Sequence, residues 1–448
     1  MTESLAGWGG RSASSARVAR PGDVEALRDE LKNVGDRGLI TRGLGRSYGD
    51  PAQNAGGTVL DLTDWDTVVD VDSGAPSVRV QAGISLDHLL RALLPLGLWL
   101  PVVPGTRQVT VGGAIAADVH GKNHHVDGSF GNHVSELDIL LASGDIVTAT
   151  PAGENAELFW ATVGGMGLTG VVLEATIQLK EVETSYFVVD TERTSNLAQL
   201  LKTLETGDDD YTYSVAWFDT ATTGDALGRG VVMRGNTATR EALDPDKRQA
   251  ALEFAAPQRG RVPVELPFGL VNPFTAKAFN ALWYAKSPRH RTDEIQDITQ
   301  FFHPLDVVGD WNRVYGPKGF CQYQFVVPFG EEAAFTSIVE TIAQSGHVSS
   351  LNVLKRFGPG NRAPLSFPMA GWTLAIDLPV RAGLDTLLNH LDQLVLAAGG
   401  RIYLAKDSRI SAATFAQMYP RLDEFRATRA RFDPTHTFRS DLSRRLDL

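Results

Sequence analysis

Three glycine-rich segments in the amino-terminal half carry the residue types from which a redox site can be built. The first, TRGLGRSYGDP at 41–51, sets Gly43, Gly45 and Gly49 among polar side chains. Small residues let successive backbone N–H groups point into one concavity, which suits a pyrophosphate, and Arg42 and Arg46 can add charge-assisted donors. The second, PGTRQVTVGGAIAADVH at 104–120, frees the backbone at Gly105, Gly112 and Gly113. Ala114, Ala116 and Ala117 then give a wall without bulk, as a flat ring system needs, and His120 and Lys122 stand at its end. The third holds a Gly-x-Gly-x-x-Gly at Gly165, Gly167 and Gly170. A dinucleotide fingerprint must follow a strand and open a helix, so that the helix N-terminus meets the pyrophosphate. Here the order is reversed: 157–161 reads as helix, and 171–179 alternates with β-branched residues as a strand. The motif turns a helix end into a strand and leaves room for something flat. It points to a flavin held by another fold, and away from a Rossmann NAD site.

A second group of residues lies far along the chain. Lys406 sits in Tyr403-Leu404-Ala405-Lys406-Asp407. A normal lysine is protonated at neutral pH, so a basic role needs burial to lower its pKa, whereas a cationic role would bind substrate or reduced flavin. Both roles stay open, beside the plainer one of a surface lysine paired with Asp407. Tyr48 and His120 are candidates for positioning the flavin or relaying a proton. Gln322 and Gln324 alternate on one predicted strand and so share a face, with Cys321, Tyr323 and Phe325 on the other. His120, His124 and His125 lie close together, but no acidic pattern completes a ligand set, and no metal is expected.

The elements that must position these residues form an α+β pattern. Asp23 can cap a helix with Val24, Leu27 and Leu31 on one face, and Ser85 a helix with Leu86, Leu89, Leu90 and Leu93, ended by Pro95 and Gly97. Strands are expected at 58–62, 68–72 and 77–82, and a hairpin over 137–142 and 146–150 across Ser143-Gly144. Aromatic strands follow at 211–218, 320–327 and 372–378. Residues 255–291 hold five prolines with scattered Phe, Leu and Trp and read as a long mobile loop or lid, or else a surface linker. With 448 residues, two or three domains are expected: 1–184 binding the cofactor, 185–400 rich in strands and binding substrate, and 401–448 returning to the first. The net charge of −11 argues against a general nucleic-acid binder. Cys321 is the only cysteine, so no intramolecular disulfide forms. Neither a signal-peptide core nor a membrane-spanning run stands out, which suggests a protein of the cytoplasm or one peripheral to a membrane, with the membrane side open.

The three segments, GLGRSYGD at 43–50, PGTRQVTVGGAIAADVHG at 104–121 and ELFWATVGGMGLTGVVLEATI at 157–177, occur in the order seen in flavoproteins of the vanillyl-alcohol-oxidase type, with their PCMH-type FAD domain. The chain resembles that superfamily and, nearly end to end, the actinobacterial decaprenylphosphoryl-β-D-ribose 2′-oxidases. The latter resemblance rests on RGLGRSYGDPAQN (42–54), GTRQVTVGGAIAADVHGKNHH (105–125), SFGNHV (129–134), FHPLDVVGDWNRVYGPKGFCQYQFVVP (302–328), APLSFPMAGW (363–372) and GGRIYLAKDSR (399–409). It implies FAD contacts at Thr41, Arg42, Gly43, Leu44, Gly45, Arg46, Ser47, Tyr48, Gly49, Asp50, Pro51, Gly105, Thr110, Val111, Gly112, Gly113, Ala117, Asp118, Val119, His120, Val172 and Tyr403. It implies catalytic roles for Lys406, Tyr48 and His120, and substrate contacts at Lys122, Gln322, Gln324, Lys355, Thr373, Ala375 and Lys406. Many superfamily members attach the flavin covalently through a His in the first motif. That position is Arg46 here, which implies non-covalent FAD. Many members of the closer family carry a pocket cysteine in a Trp-Asn-x-Cys context; here Ala375 replaces the Cys and Thr373 the Asn, so thiol-directed inhibitors lose their anchor. The implied reaction is oxidation of the 2′-hydroxyl of decaprenylphosphoryl-β-D-ribose to the 2′-keto sugar. An NAD(P)H-dependent keto-reductase would complete epimerisation to an arabinose donor for cell-wall arabinan. The alternative is an alditol or sugar-lactone oxidase of the same fold.

Overall fold

The computed structural model describes residues 1–264 and 269–448. Local signals set the elements where the sequence places them. The Asp23 carboxylate accepts from the Ala26 N–H and starts the helix Val24–Lys32, which buries Leu27 and Leu31. Ser85 accepts from the His88 N–H and starts Leu86–Leu93, whose four leucines at helical spacing are all buried. The 3₁₀ turn that follows ends at Gly97, left-handed at φ 72°. Strands Val134–Leu140 and Ile146–Ala149 pair antiparallel, with Leu140 opposite Ile146.

Two sheets arise from the first 178 residues. One is four-stranded, in the order Thr2–Leu5, Ser14–Ala19, Thr58–Asp61, Leu39–Arg42. The other is an antiparallel five-stranded sheet, in the order Val68–Asp72, Ser77–Gln81, Val171–Gln178, Val134–Leu140, Ile146–Ala149. The helix Ala156–Thr162 precedes Val171–Gln178, so the third glycine segment does join a helix to a strand.

A third sheet has eight strands: His290–Asp297, Tyr186–Thr194, Gly230–Thr237, Tyr213–Phe218, Asn352–Phe357, Gly371–Pro379, Phe320–Pro328 and Arg401–Ile402. Helices Leu197–Gly207, Glu332–Gln344 and Leu384–Ala397 cover one of its faces and share a core with Tyr323, Phe325, Leu374 and Ile376. Its other face turns toward the glycine-rich segments. The first two sheets come from residues before 184 and the eight-stranded sheet from residues after 185, with its edge strand Arg401–Ile402 drawn from the 401–448 segment. The mixture of helices with largely antiparallel sheets is the α+β class.

Residues 255–291 are not a bare loop. They contain the helix Pro273–Lys286, with a capping box between Asn272 and Thr275. Pro273 occupies its first turn, where the missing N–H costs nothing, and Pro288 lies just beyond its end. Two prolines that read as breakers therefore bracket the helix. Pro267 lies outside the described residues.

Candidate active site

A cavity of about 420 Å³ lies between the glycine-rich segments and the open face of the eight-stranded sheet. All three segments reach it: Gly43, Gly45, Arg46 and Tyr48 from the first, Gly105, Thr110, Gly112, Gly113, Ala116 and Ala117 from the second, and Met166 and Gly167 from the third. Their approach requires the glycines. A Cβ on Gly43 would lie 2.2 Å from Thr110 Oγ1, the atom that caps the helix Val111–Ala116 by accepting from the Gly113 N–H. Gly45 is left-handed at φ 64°.

Strand register builds the opposite wall. Trp217 pairs with Val353, Val353 with Ala375, and Ala375 with Gln324, so four strands each present one side chain in a row across the cavity. In the next row Gln322 pairs with Asp377 and its Nε2 donates to Asp377 Oδ1 at 2.6 Å. Lys355 reaches the cavity from Asn352–Phe357. Lys406 arrives in the turn after Arg401–Ile402, and that turn is tied to the first and second glycine segments. The Tyr48 N–H donates to Ala405 O at 2.8 Å, Tyr403 Oη donates to Ala117 O at 2.8 Å, and Lys406 Nζ stands 3.9 Å from the Tyr48 ring centroid. Asp407 does not pair with Lys406; it is held by Arg445 Nη1 at 2.8 Å.

Burial sets the protonation of this cluster. Loss of solvent brings Lys406 down to about 7, with Asp377 acting to raise it and Lys355 to lower it further. Lys122 falls to about 7 and Lys355 to about 8, for the same first reason. Burial raises Asp377 to about 7, against the donor from Gln322 and the charge of Lys406. His120 is pushed well below its ordinary value by burial and then by Lys355, so its ring is neutral. Gln324 Nε2 lies 2.9 Å from His120 Nε2. An amide N–H donating there leaves the proton on Nδ1, and Nδ1 is buried with no partner among the described residues.

These residues fit FAD on structural grounds. His120 Nδ1 and Arg46 Nε are orphaned buried donors in the cavity wall, of the kind a bound group satisfies. A Cβ on Gly105 would meet nothing within 4 Å, which leaves open space above that backbone. Asp306 holds the same loop from the far side of the cavity, accepting from Thr106 Oγ1 at 2.7 Å and the Arg107 N–H at 3.0 Å. A family model described as FAD binding domain matches residues 15–150, and one described as D-arabinono-1,4-lactone oxidase matches residues 320–446. The decaprenylphosphoryl-beta-D-ribose oxidase of Mycolicibacterium smegmatis is 49% identical over 451 residues, covering 100% of this chain and 98% of that protein. The chain belongs to the decaprenylphosphoryl-ribose oxidase family. The alditol oxidase of a Streptomyces species is similar only over 182 residues, at 29% identity and 40% of this chain.

This family member is an FAD-dependent oxidoreductase. When bound, FAD supplies the acceptor for the electrons of a substrate C–H bond. The chain's own residues offer cations at Lys122, Lys355 and Lys406, hydrogen bonds from Gln322 and Gln324, and at neutral pH three groups, Lys406, Lys122 and Asp377, each able to hold or release a proton.

Sixteen of the residues expected to contact FAD line the cavity: Thr41, Gly43, Leu44, Gly45, Arg46, Ser47, Tyr48, Pro51, Gly105, Thr110, Gly112, Gly113, Ala117, Val119, His120 and Tyr403. Six stand behind them. Arg42 is spent inside its own loop, donating to Ala52 O and Ala6 O. Asp50 accepts from Arg445 through both carboxylate oxygens. Gly49 lets the loop touch the Lys406 turn, since a Cβ there would lie 1.7 Å from Asp407 O. Val111 is in the core, and Val172 packs against it. Asp118 is buried, with its oxygens taken by Ser129, Gly131, Asn361 and Ser366. Of the expected substrate contacts, Lys122, Gln322, Gln324, Lys355, Ala375 and Lys406 line the cavity. Thr373 does not; its hydroxyl donates to Phe325 O at 2.9 Å. The three neighbouring histidines diverge. His124 Nδ1 accepts from the Gly358 N–H, while His125 Nε2 meets Tyr211 O. Sequence reasoning missed Asp377, although Thr373, Ala375 and Asp377 alternate on one strand, and it missed Trp8, whose ring lies under the Arg46 guanidinium at 3.9 Å.

Proposed function

We propose that this enzyme oxidises the ribose 2′-hydroxyl of a polyprenylphosphoryl ribose to the 2′-keto sugar. The observation that carries the reading is the division of the cavity. Along the strand order of the eight-stranded sheet its wall runs from Lys406, Gln322 and Gln324 through Ala375, Lys355 and Val353 to Trp217 and Met233, from polar to apolar, while the glycine-rich segments face it with backbone and small side chains. A molecule with a polar sugar phosphate between a reacting carbon and a hydrocarbon tail matches that order; a free alditol leaves the apolar end unused. The end-to-end identity with the Mycolicibacterium smegmatis oxidase supports the same substrate class.

In this reading Gln322 and Gln324 hydrogen-bond the ribose and so orient the C2′–H, while Lys122 and Lys355 meet the phosphate. Lys406 Nζ, beside Tyr48 and Asp377, takes the hydroxyl proton as a base, or keeps its own proton and stabilises negative charge. His120 Nδ1 and Arg46 donate to the non-covalently held FAD. A separate NAD(P)H-dependent keto-reductase consumes the product, and contact with a membrane supplies the lipid-linked substrate. No helix among the described residues is long and apolar enough to cross a membrane, so such contact is peripheral.

Anaerobic bleaching of the bound flavin tests the reading. A short-chain prenylphosphoryl ribose should reduce it, and Lys406→Ala should retain the flavin spectrum while losing reduction. Bleaching by free alditols or sugar lactones, with none by the prenylphosphoryl ribose, would assign the enzyme to polyol oxidation instead. Normal reduction in Lys406→Ala would remove that lysine from the chemistry.

A further inference from the structure

The helix Pro273–Lys286 turns its apolar side chains outward. Its buried residues are Ala276 and Asn280, and Asn280 Nδ2 donates at 2.9 Å to both Asp219 Oδ1 and Ser349 O, which pins that side to the protein. At about 100° per residue the opposite side presents Phe274, Ala278, Ala281, Leu282 and Ala285. Phe274 is 81% exposed and Leu282 67%. Phe279, 47% exposed, stacks on Trp283 toward one edge of this face. Soluble proteins rarely leave such large apolar side chains contiguous and uncovered.

The charge around this face is specific. Lys277 and Lys286 project from its two flanks. Residues 255–291 contain six Lys or Arg (Arg259, Arg261, Lys277, Lys286, Arg289, Arg291) and one acid, Glu265, in a chain whose net charge is −11. Beside the helix a small cleft is lined by Arg193, Ser195, Gln199, Tyr284 and Arg289, two of them guanidinium groups. An apolar helix face rimmed by cations matches a bilayer surface with anionic headgroups. A second copy of the chain fits poorly, since a two-fold contact would set these cations against themselves. The face also adjoins the active site: Trp283 lines the cavity and is 43% exposed, which places it at the cavity mouth.

We infer that this helix is the surface by which the enzyme lies on an anionic membrane, with Phe274 and Leu282 in the apolar layer, Lys277 and Lys286 at the headgroups, and the cavity mouth at Trp283 facing the lipid. The inference rests on the polyprenyl reading only for what enters at that mouth. Sedimentation of the FAD-loaded enzyme with vesicles tests it. Binding to mixed phosphatidylcholine–phosphatidylglycerol vesicles should exceed binding to phosphatidylcholine alone by tenfold or more. Phe274→Glu with Leu282→Glu should reduce it at least tenfold, and Lys277→Gln and Lys286→Gln by about fivefold each. All variants should keep the flavin spectrum and reduce flavin with the short-chain substrate at the parent rate. The inference is overturned if the parent binds neither vesicle, if the double glutamate variant binds like the parent, or if light scattering shows a parent dimer that this variant dissociates while no vesicle binds. Failure of the short-chain substrate to bleach the parent flavin would remove the proposed reaction and leave the vesicle result standing, so the two fail separately.

Discussion

Asp377→Asn isolates the electrostatic coupling at the centre of the site. Asparagine keeps the volume and the Oδ1 acceptor for Gln322, now 2.6 Å away, so the wall stays packed. What it removes is the negative charge that favours protonated Lys406. A charge of opposite sign within roughly 4–6 Å moves a pKa by about 1–3 units. Asp377 titrates at about 7 and so is only half ionised at neutral pH, which selects the lower end. The lysine should therefore fall by about one unit, ~1.4 kcal/mol, to roughly 6. The assay is the anaerobic rate of flavin reduction at low substrate, followed across pH, because that profile reports the free enzyme. If neutral Lys406 is the reactive form, the rising acid limb moves down by about a unit. If the cation is reactive, the falling basic limb moves down by the same amount. The direction is common to both, and the limb that moves identifies the role. In the parent the limb belongs to the Lys406–Asp377 pair and in the variant to one group, so it should also become a simple single titration. An unmoved profile in a variant with full FAD and unchanged thermal stability would refute the coupling.

Three further outcomes follow from the same geometry. Arg445→Met strands Asp50 and Asp407, both 2.8 Å from the guanidinium, and should cost about 3 kcal/mol by urea denaturation and weaken FAD binding; the loss should shrink on acidification, as burial already raises Asp50 and it takes up a proton once Arg445 is gone. Burial brings Lys355 from 10.5 to about 8, so between those values the native state binds fewer protons than the unfolded state and stability rises with pH, by at most about 1.4 kcal/mol per unit. Lys355→Met should lower the slope of urea midpoints against pH by that share, leaving the shares of Lys122 and Lys406, and an unchanged slope would place Lys355 in solvent. Ala375→Cys puts a thiol in the cavity wall, which iodoacetamide should alkylate once per chain and substrate should protect, while Cys321, buried on the opposite face of the sheet, stays unlabelled by mass spectrometry.

What the sequence made legible was whatever a local rule dictates. Asp23 and Ser85 cap helices because each oxygen needs only the N–H three residues on. Gln322 and Gln324 share a face because strands alternate. The glycine segments announced a cradle because few other uses need so many small residues together. Long-range satisfaction was not legible. Arg42 and Asp50 look like cofactor ligands inside a phosphate-type motif, yet Ala6 O, Ala52 O and Arg445, up to 395 positions away, claim them first. Asp377 was hidden for the opposite reason: an acid in an apolar strand has no local signature, and its importance comes from Gln322 on the neighbouring strand and Lys406 beyond it. The helix Pro273–Lys286 was obscured by prolines counted as breakers, although one of them sits where a helix begins.

The placement of Lys406 ties the chemistry to closure of the whole chain. Its turn is fixed by three contacts that all reach into the first 120 residues: Ala405 O to the Tyr48 N–H, Tyr403 Oη to Ala117 O, and Asp407 through Arg445 to Asp50. The lysine is shifted toward neutrality only because those contacts hold it in a wall from which water is largely excluded. An enzyme whose two halves drifted apart would return the amine to solvent and to its ordinary pKa near 10.4. An amine able to titrate near neutral pH and a formed flavin cradle are then the same structural event. Substitutions in this three-contact set should lower the reduction rate and the affinity for FAD together.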